Sequence, residues 1–99
     1  MALKIVIRSL AETDLDDAIS WHNEQKENLW ERFLFEFREI LTILSFHPYA
    51  FRKRYKHVRA FGLKRFPYKI YYLIDGSTIH VLAVIHQKRS SKGLEAKSQ

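Results

Sequence analysis

His86 and Arg89 stand where an apolar run, Val81–Ile85, gives out. An imidazole titrates near neutrality and can give or take a proton there. A guanidinium can hold a phosphate through two parallel hydrogen bonds. Arg59 and Arg65 precede this pair, and Tyr71 offers a ring on which an unstacked base could rest. Lys64, Lys69, His80 and Lys88 would add a binding fringe. These residue types suit an anionic ligand. On one strand His80 and His86 would lie about 20 Å apart, too far to share a metal ion, so neither a metal nor a cofactor is expected. Each residue also has an ordinary use. Sheet histidines are mostly hydrogen-bonded or exposed, Arg89 can pair with an acid of the first helix, and Tyr71 can pack.

The elements that would position these groups follow from periodicity. Leu3–Arg8 is short and β-branched, which predicts a strand. Ser9 and Glu12 have capping-box spacing, and Glu12, Asp14, Asp16 and Asp17 crowd the first turns, where the helix dipole favours anions. A helix is predicted from Leu10 to Lys26, with Ala11, Leu15, Ala18, Ile19 and His22 at helical spacing. A second begins after Asn28, with Trp30, Phe33, Leu34, Phe37, Ile40, Leu41 and Leu44 on one face, and closes at His47-Pro48. The short joint at Glu27-Asn28 makes the two an antiparallel hairpin. Strands are then expected at Val58–Lys64, Tyr68–Ile74 and Thr78–His86, with turns at Pro67 and Asp75-Gly76. The fold class is α+β: an N-terminal strand, a helical hairpin and a three-stranded antiparallel meander, with the helices on one face.

Alternation sets the faces. Tyr68, Ile70, Tyr72 and Ile74 should point to the core, with Ile79, Val81, Ala83 and Ile85 on the next strand. The open face should then show Lys69, Tyr71, His80 and His86. A single bulge would invert part of that assignment.

The chain of 99 residues is read as one domain, with about 90–99 a loose tail. It has no cysteine, which excludes disulfides and Cys-based zinc sites. The N-terminal apolar run is short for a signal peptide and no stretch reaches membrane-spanning length, so the expected setting is cytoplasmic, away from membranes. Charge is segregated. Residues 1–47 hold five Lys/Arg against nine Asp/Glu, and residues 48–99 hold twelve against two. Eight basic residues and no acid lie between Arg52 and Lys69. That asymmetry points to phosphates or to an acidic protein partner.

The order Ala11, Asp14, Leu15, then Trp21, Phe33, Phe37, Pro48 and Arg59, followed by RFPYKIYYLID (65–75) and VLAVIHQKR (81–89), resembles the RelE/ParE toxins of type II toxin–antitoxin modules, the plasmid stabilization proteins. The resemblance spans residues 4 to about 90. It implies the same strand, helical hairpin and antiparallel sheet, growth inhibition, and a cognate antitoxin that wraps the toxin. Homodimers and toxin–antitoxin hetero-oligomers both stay open. Two targets occur in such toxins. ParE-like members poison DNA gyrase without catalysis. RelE-like members cleave mRNA on the ribosome, with the 2′-OH as nucleophile, a base and an acid for the protons, and cations for the phosphorus charge. His86, Arg89, Arg65 and Arg59 would be that catalytic set, working without metal. Gln87 stands where RNA-cleaving relatives carry an arginine, and the tail SSKGLEAKSQ has no Tyr, Phe or His. The His86-to-Arg89 ending and the long helices resemble the ParE side, so a gyrase-directed, non-enzymatic toxin is the expectation. An endoribonuclease is the alternative, and an inactive relative kept as a binding or repressor module is the second.

Overall fold

The computed structural model describes residues 2–25 and 29–87. In order they form β1 (Lys4–Ile7), α1 (Ser9–Gln25), α2 (Leu29–Phe46), β2 (Lys53–Tyr55), β3 (Val58–Gly62), β4 (Tyr68–Asp75) and β5 (Thr78–His86). The sheet order is β1-β5-β4-β3-β2. β1 runs parallel to β5 and the other pairs are antiparallel. The α+β architecture is as the periodicity predicts. The meander has four strands rather than three, because β2 reads Lys-Arg-Tyr and carries no apolar alternation. The joint at Glu27-Asn28 and the tail lie outside the described residues.

Both helices cover one face of the sheet, α1 against β5 and α2 against β1. Ala11, Leu15 and Ala18 of α1 and Phe33, Phe37 and Leu44 of α2 bury on the helical face of β3, β4 and β5. Phe33 is fully enclosed, with its ring edge-on to Phe66 and Tyr68 at 5.3 and 5.1 Å. Each such ring contributes about 1.5–3 kcal/mol by leaving water. The helix start differs in detail from the capping-box reading. The Glu12 amide donates to the Arg8 carbonyl at 2.9 Å, so Arg8 rather than Ser9 stands at the cap, and the Ser9 carbonyl accepts from Thr13 Oγ1. At the β4–β5 turn Asp75 is still in the ladder, paired with Thr78, and Gly76 takes a φ of 61°, which glycine accepts at no steric cost.

The faces hold on β4 and on the first half of β5. Tyr72 then pairs with Val81 but Tyr71 pairs with Ala83, which leaves Leu82 as an extra residue. This bulge inverts the parity of the remainder of β5. Val84 packs into the helix-side core, while Ala83 and Ile85 join Tyr71 and Leu82 on the other face. The expected places of Ala83 and Ile85 (core) and of Val84 and His86 (open face) are therefore exchanged. The bulge falls just past the end of β1. Its ladder ends with Ile7 opposite Val81, the Arg8 amide adds one last bond to the Val81 carbonyl at 3.0 Å, and the chain turns into α1. Past that point β5 has no β1 neighbour. Asp14 of α1 takes over, its Oδ2 accepting the Val84 amide at 3.0 Å.

Tyr72 fixes the loop after α2. Its ring is fully buried beside Phe61, and its hydroxyl donates to the Pro48 carbonyl at 2.9 Å. Burial pushes the phenol up from 10.0 to about 12, against the opposing pull of the Arg59 guanidinium.

Both side-chain anchors can be tested by substitution. Asp14→Ala strands the buried Val84 amide and should cost about 1–3 kcal/mol, and Asp14→Asn, which keeps an acceptor, should recover part of it in urea unfolding. For Tyr72 the unfolded phenol ionises near pH 10 and the folded one near 12, so stability is intact below pH 10 and falls as pH rises between them. The loss reaches about 2–3 kcal/mol. Tyr72→Phe should start about 1 kcal/mol lower and show a flatter fall over that window, read from urea midpoints against pH.

Candidate functional site

His86 lies at the end of β5 opposite Tyr68, with ring centroids 5.1 Å apart and nearly perpendicular. After the Leu82 bulge it faces α1 rather than the open side of the sheet. There it lines an open cleft of about 560 Å³ with Asp14, Asp17, Ala18, Trp21, Tyr68 and Val84. Trp21 is half exposed on the rim. Gln87 comes next, its amide donating to the Pro67 carbonyl at 2.7 Å and its side-chain nitrogen 3.8 Å from where a Cβ on Gly62 would stand. Lys88 and Arg89 lie outside the described residues.

Arg59 is held at the sheet margin. Its Nη1 donates to the Phe51 carbonyl at 2.7 Å, and its guanidinium sits 4.9 Å over the Tyr49 ring. Arg59 pairs with Tyr72 and His86 with Tyr68. Those partners lie four positions apart on β4, which amounts to about 13 Å of strand. Lys64 and Arg65 sit in the loop before β4, which is tied down by α2. Both backbone amides donate to Glu36, Lys64 to Oε2 and Arg65 to Oε1 at 3.1 Å. Their side chains border a groove of about 510 Å³ along α2 with Phe35, Glu39 and Ile43.

The remaining candidates belong to the other face. Tyr71 is buried there among Val58, Ala60, Leu82, Ala83 and Ile85, which leaves little ring surface for a base. Lys69 is exposed opposite Ile85. His80 accepts a hydrogen bond at Nδ1 from Arg8 Nε at 3.1 Å. Among the described residues no group of three or more His, Asp or Glu converges as a metal would need, and no helix is long and apolar enough to cross a membrane.

The structure thus brings His86 together with acids and aromatics of α1 and separates it from Arg59, Arg65, Lys69, Tyr71 and His80. A single phosphate could not be gripped by this set at once. Sequence reasoning missed three features. Asp14 and Glu36 accept backbone amides about 70 and 28 residues away, and nothing local in a sequence marks such a pairing. The third is the short strand β2 under the basic run, where Arg52, Lys53, Arg54, Lys56 and His57 are all exposed. Its signal is the acid-free basic run, in which no apolar alternation marks the strand beneath.

Comparison with known proteins gives a consistent picture. The profile of the ParE toxins of type II toxin–antitoxin systems (parDE) matches residues 5–91. The fold is similar to a solved chromosomal ParDE toxin–antitoxin system from P. aeruginosa, with a TM-score of 0.75 and 18% identity over 86% of this chain and 96% of that one. It is also similar to the toxin–antitoxin complex RelBE2 from Mycobacterium tuberculosis, with a TM-score of 0.64 and 20% identity over 87% of this chain and 99% of that one. No curated protein sequence matches the chain.

Glu36 is the anchor whose loss should be simplest to read. Glu36→Ala leaves two adjacent amides without their acceptor and should cost about 1–2 kcal/mol, less than two buried charged bonds because water can reach the loop. Glu36→Gln should recover part of that loss. Hydrogen exchange at the Lys64 and Arg65 amides should rise in the Ala variant before the β4 amides change.

Proposed function

Because the chain belongs to the ParE toxin family of type II toxin–antitoxin systems, we propose that it is a growth-inhibiting toxin of the cytoplasm that acts on DNA gyrase by binding rather than by catalysis, and that a cognate antitoxin neutralises it. One observation carries the preference for binding. Among the described residues, the His86 imidazole and the Arg59 and Arg65 guanidinia that a nuclease would need on one phosphate stand on β5, on β3 and in the loop before β4, and two of them are engaged elsewhere. Arg59 serves the Phe51 carbonyl and the Tyr49 ring. His86 packs against Tyr68 on the helical side. General acid–base chemistry needs its groups within hydrogen-bond reach of the same reacting atoms, and this arrangement offers one such group at a time.

The antitoxin is inferred from the company the fold keeps, since both solved relatives are described as toxin–antitoxin systems or complexes. It would be an acidic, amphipathic segment that orders on binding, matched to the basic second half of the chain. The likeness to RelBE2 gives the endoribonuclease reading its footing. Under that reading His86 and the arginines would converge only on the ribosome.

The two readings separate in one experiment. Micromolar protein should stop purified gyrase from supercoiling relaxed plasmid, and His86→Ala should do so undiminished. Uninhibited gyrase would remove the binding reading. Cuts at codon positions in translated messages, lost in His86→Ala, would install the nuclease in its place.

A further inference from the structure

We propose that the outward face of α2 is a contact between two copies of this chain, packed as an antiparallel helix pair. Such a contact involves the chain alone and holds whatever enzyme or message the toxin meets. α2 is apolar on two sides. Phe33, Phe37 and Leu44 enter the core, while Phe35, Ile43 and Phe46 stand outside it at 67%, 49% and 59% exposure. A helix that is apolar all round is normally buried all round. The core therefore accounts for one of these two stripes and leaves the other without a purpose in the single chain.

The spacing selects the occupant. Phe35, Glu39, Thr42 and Phe46 follow one another by four, three and four residues, the seam of a two-helix coil, and all four are exposed. Their order, ring, polar, polar, ring, reads the same from either end. A second copy laid antiparallel then sets Phe35 against the second copy's Phe46 at both ends of a seam about 16 Å long. Glu39 lies opposite the second copy's Thr42, twice, and Ile43 flanks the seam. A parallel copy would instead set Glu39 against Glu39, a juxtaposition of like charges that works against that arrangement. An isologous contact needs one patch that complements itself, and this order supplies it.

The charges beside the seam agree. The groove of about 510 Å³ along it carries Glu31, Glu36 and Glu39 against Arg32, Lys64 and Arg65. Three against three gives no net sign for a strongly charged partner to read. An acidic segment finds a better match in residues 48–99, which hold twelve Lys/Arg and two Asp/Glu. A balanced surface is the kind its own copy can meet without repulsion.

The test is sedimentation velocity of the full chain. One helix pair buries less than the roughly 1,200 Å² of a standard interface, so monomer should pass to dimer at concentrations on the order of 10 µM. Phe35→Ser removes two rings from each symmetric dimer. At about tenfold for each ring, the dissociation constant should rise about 100-fold. Trp21→Ser takes a half-exposed ring from α1 and should leave it unchanged. Circular dichroism spectra matching the parent would confirm that both variants are folded. The chain has no cysteine, so the register can be read directly. Glu39→Cys and Thr42→Cys chains, mixed equally and oxidised, should form the mixed disulfide in preference to either like pair. An excess of like pairs, equal weakening by Trp21→Ser, or a monomer at concentrations of about 300 µM would overturn the proposal. So would Phe35 and Phe46 ring resonances that respond to an added acidic amphipathic peptide, or to Leu94→Ser, but not to protein concentration. The face would then belong to a foreign segment or to the chain's own C-terminal residues.

Discussion

The structure turns on where β1 stops. A parallel neighbour covers β5 only as far as Val81, and the strand must then find other partners for its amides or expose them. An unpaired amide in a buried strand costs as much as a lost hydrogen bond. The molecule meets this with two coupled devices. The bulge at Leu82 turns Val84 toward the helices, and the Asp14 carboxylate receives its amide there. Asp14 sits in the second turn of α1, on the side that meets β5. One carboxylate therefore joins the helical hairpin to β5. The same bulge decides that His86 ends in a cleft beside α1 and away from Lys69 and Tyr71.

This way of closing backbone gaps recurs. Glu36 receives two loop amides, Arg59 serves the Phe51 carbonyl, and Tyr72 serves that of Pro48. Each bond runs from a helix or strand to a connecting segment, so the segments before β2 and β4 are held by side chains where no ladder reaches them. A small domain buries a modest share of its surface, and such bonds supply order that the core alone would not. They also use up chemistry. An arginine with a carbonyl at 2.7 Å and an aromatic ring beneath it must break both contacts before it can grip a phosphate.

Much of the fold was legible because its signals are periodic. The helix stripes through Ala11, Leu15 and Ala18 and through Phe33, Phe37 and Leu44 are the buried ones, and the alternation of β4 reads correctly from Tyr68 to Ile74. Parity failed after Leu82. Alternation assumes an uninterrupted ladder, and in a run such as Val-Leu-Ala-Val-Ile every residue suits either face, so no side chain reports the slip. β2 escaped for the opposite reason, since three residues held by an edge ladder need no apolar pattern. The grouping of His86 with His80, Tyr71 and Lys69 inherited the parity error. The family was legible in the run of residues from 65 to 89, which survives local errors of face because it depends on order rather than orientation.

The basic half of the chain thus divides by what each cation already does. Arg59 is spent on a loop, and Arg8, from the acidic half, donates to His80. Lys64 and Arg65 are placed by their own backbone amides, which leaves their side chains beside the mixed charges of α2. The hairpin residues 52–57 are different, because among the described residues no carboxylate answers them. Solvating four like charges on one short segment is unfavourable to the fold by mutual repulsion, and a Lys at positive φ adds to it. The helical hairpin and its anchors hold the sheet, and the sheet holds that segment at its far edge, away from the cleft at His86.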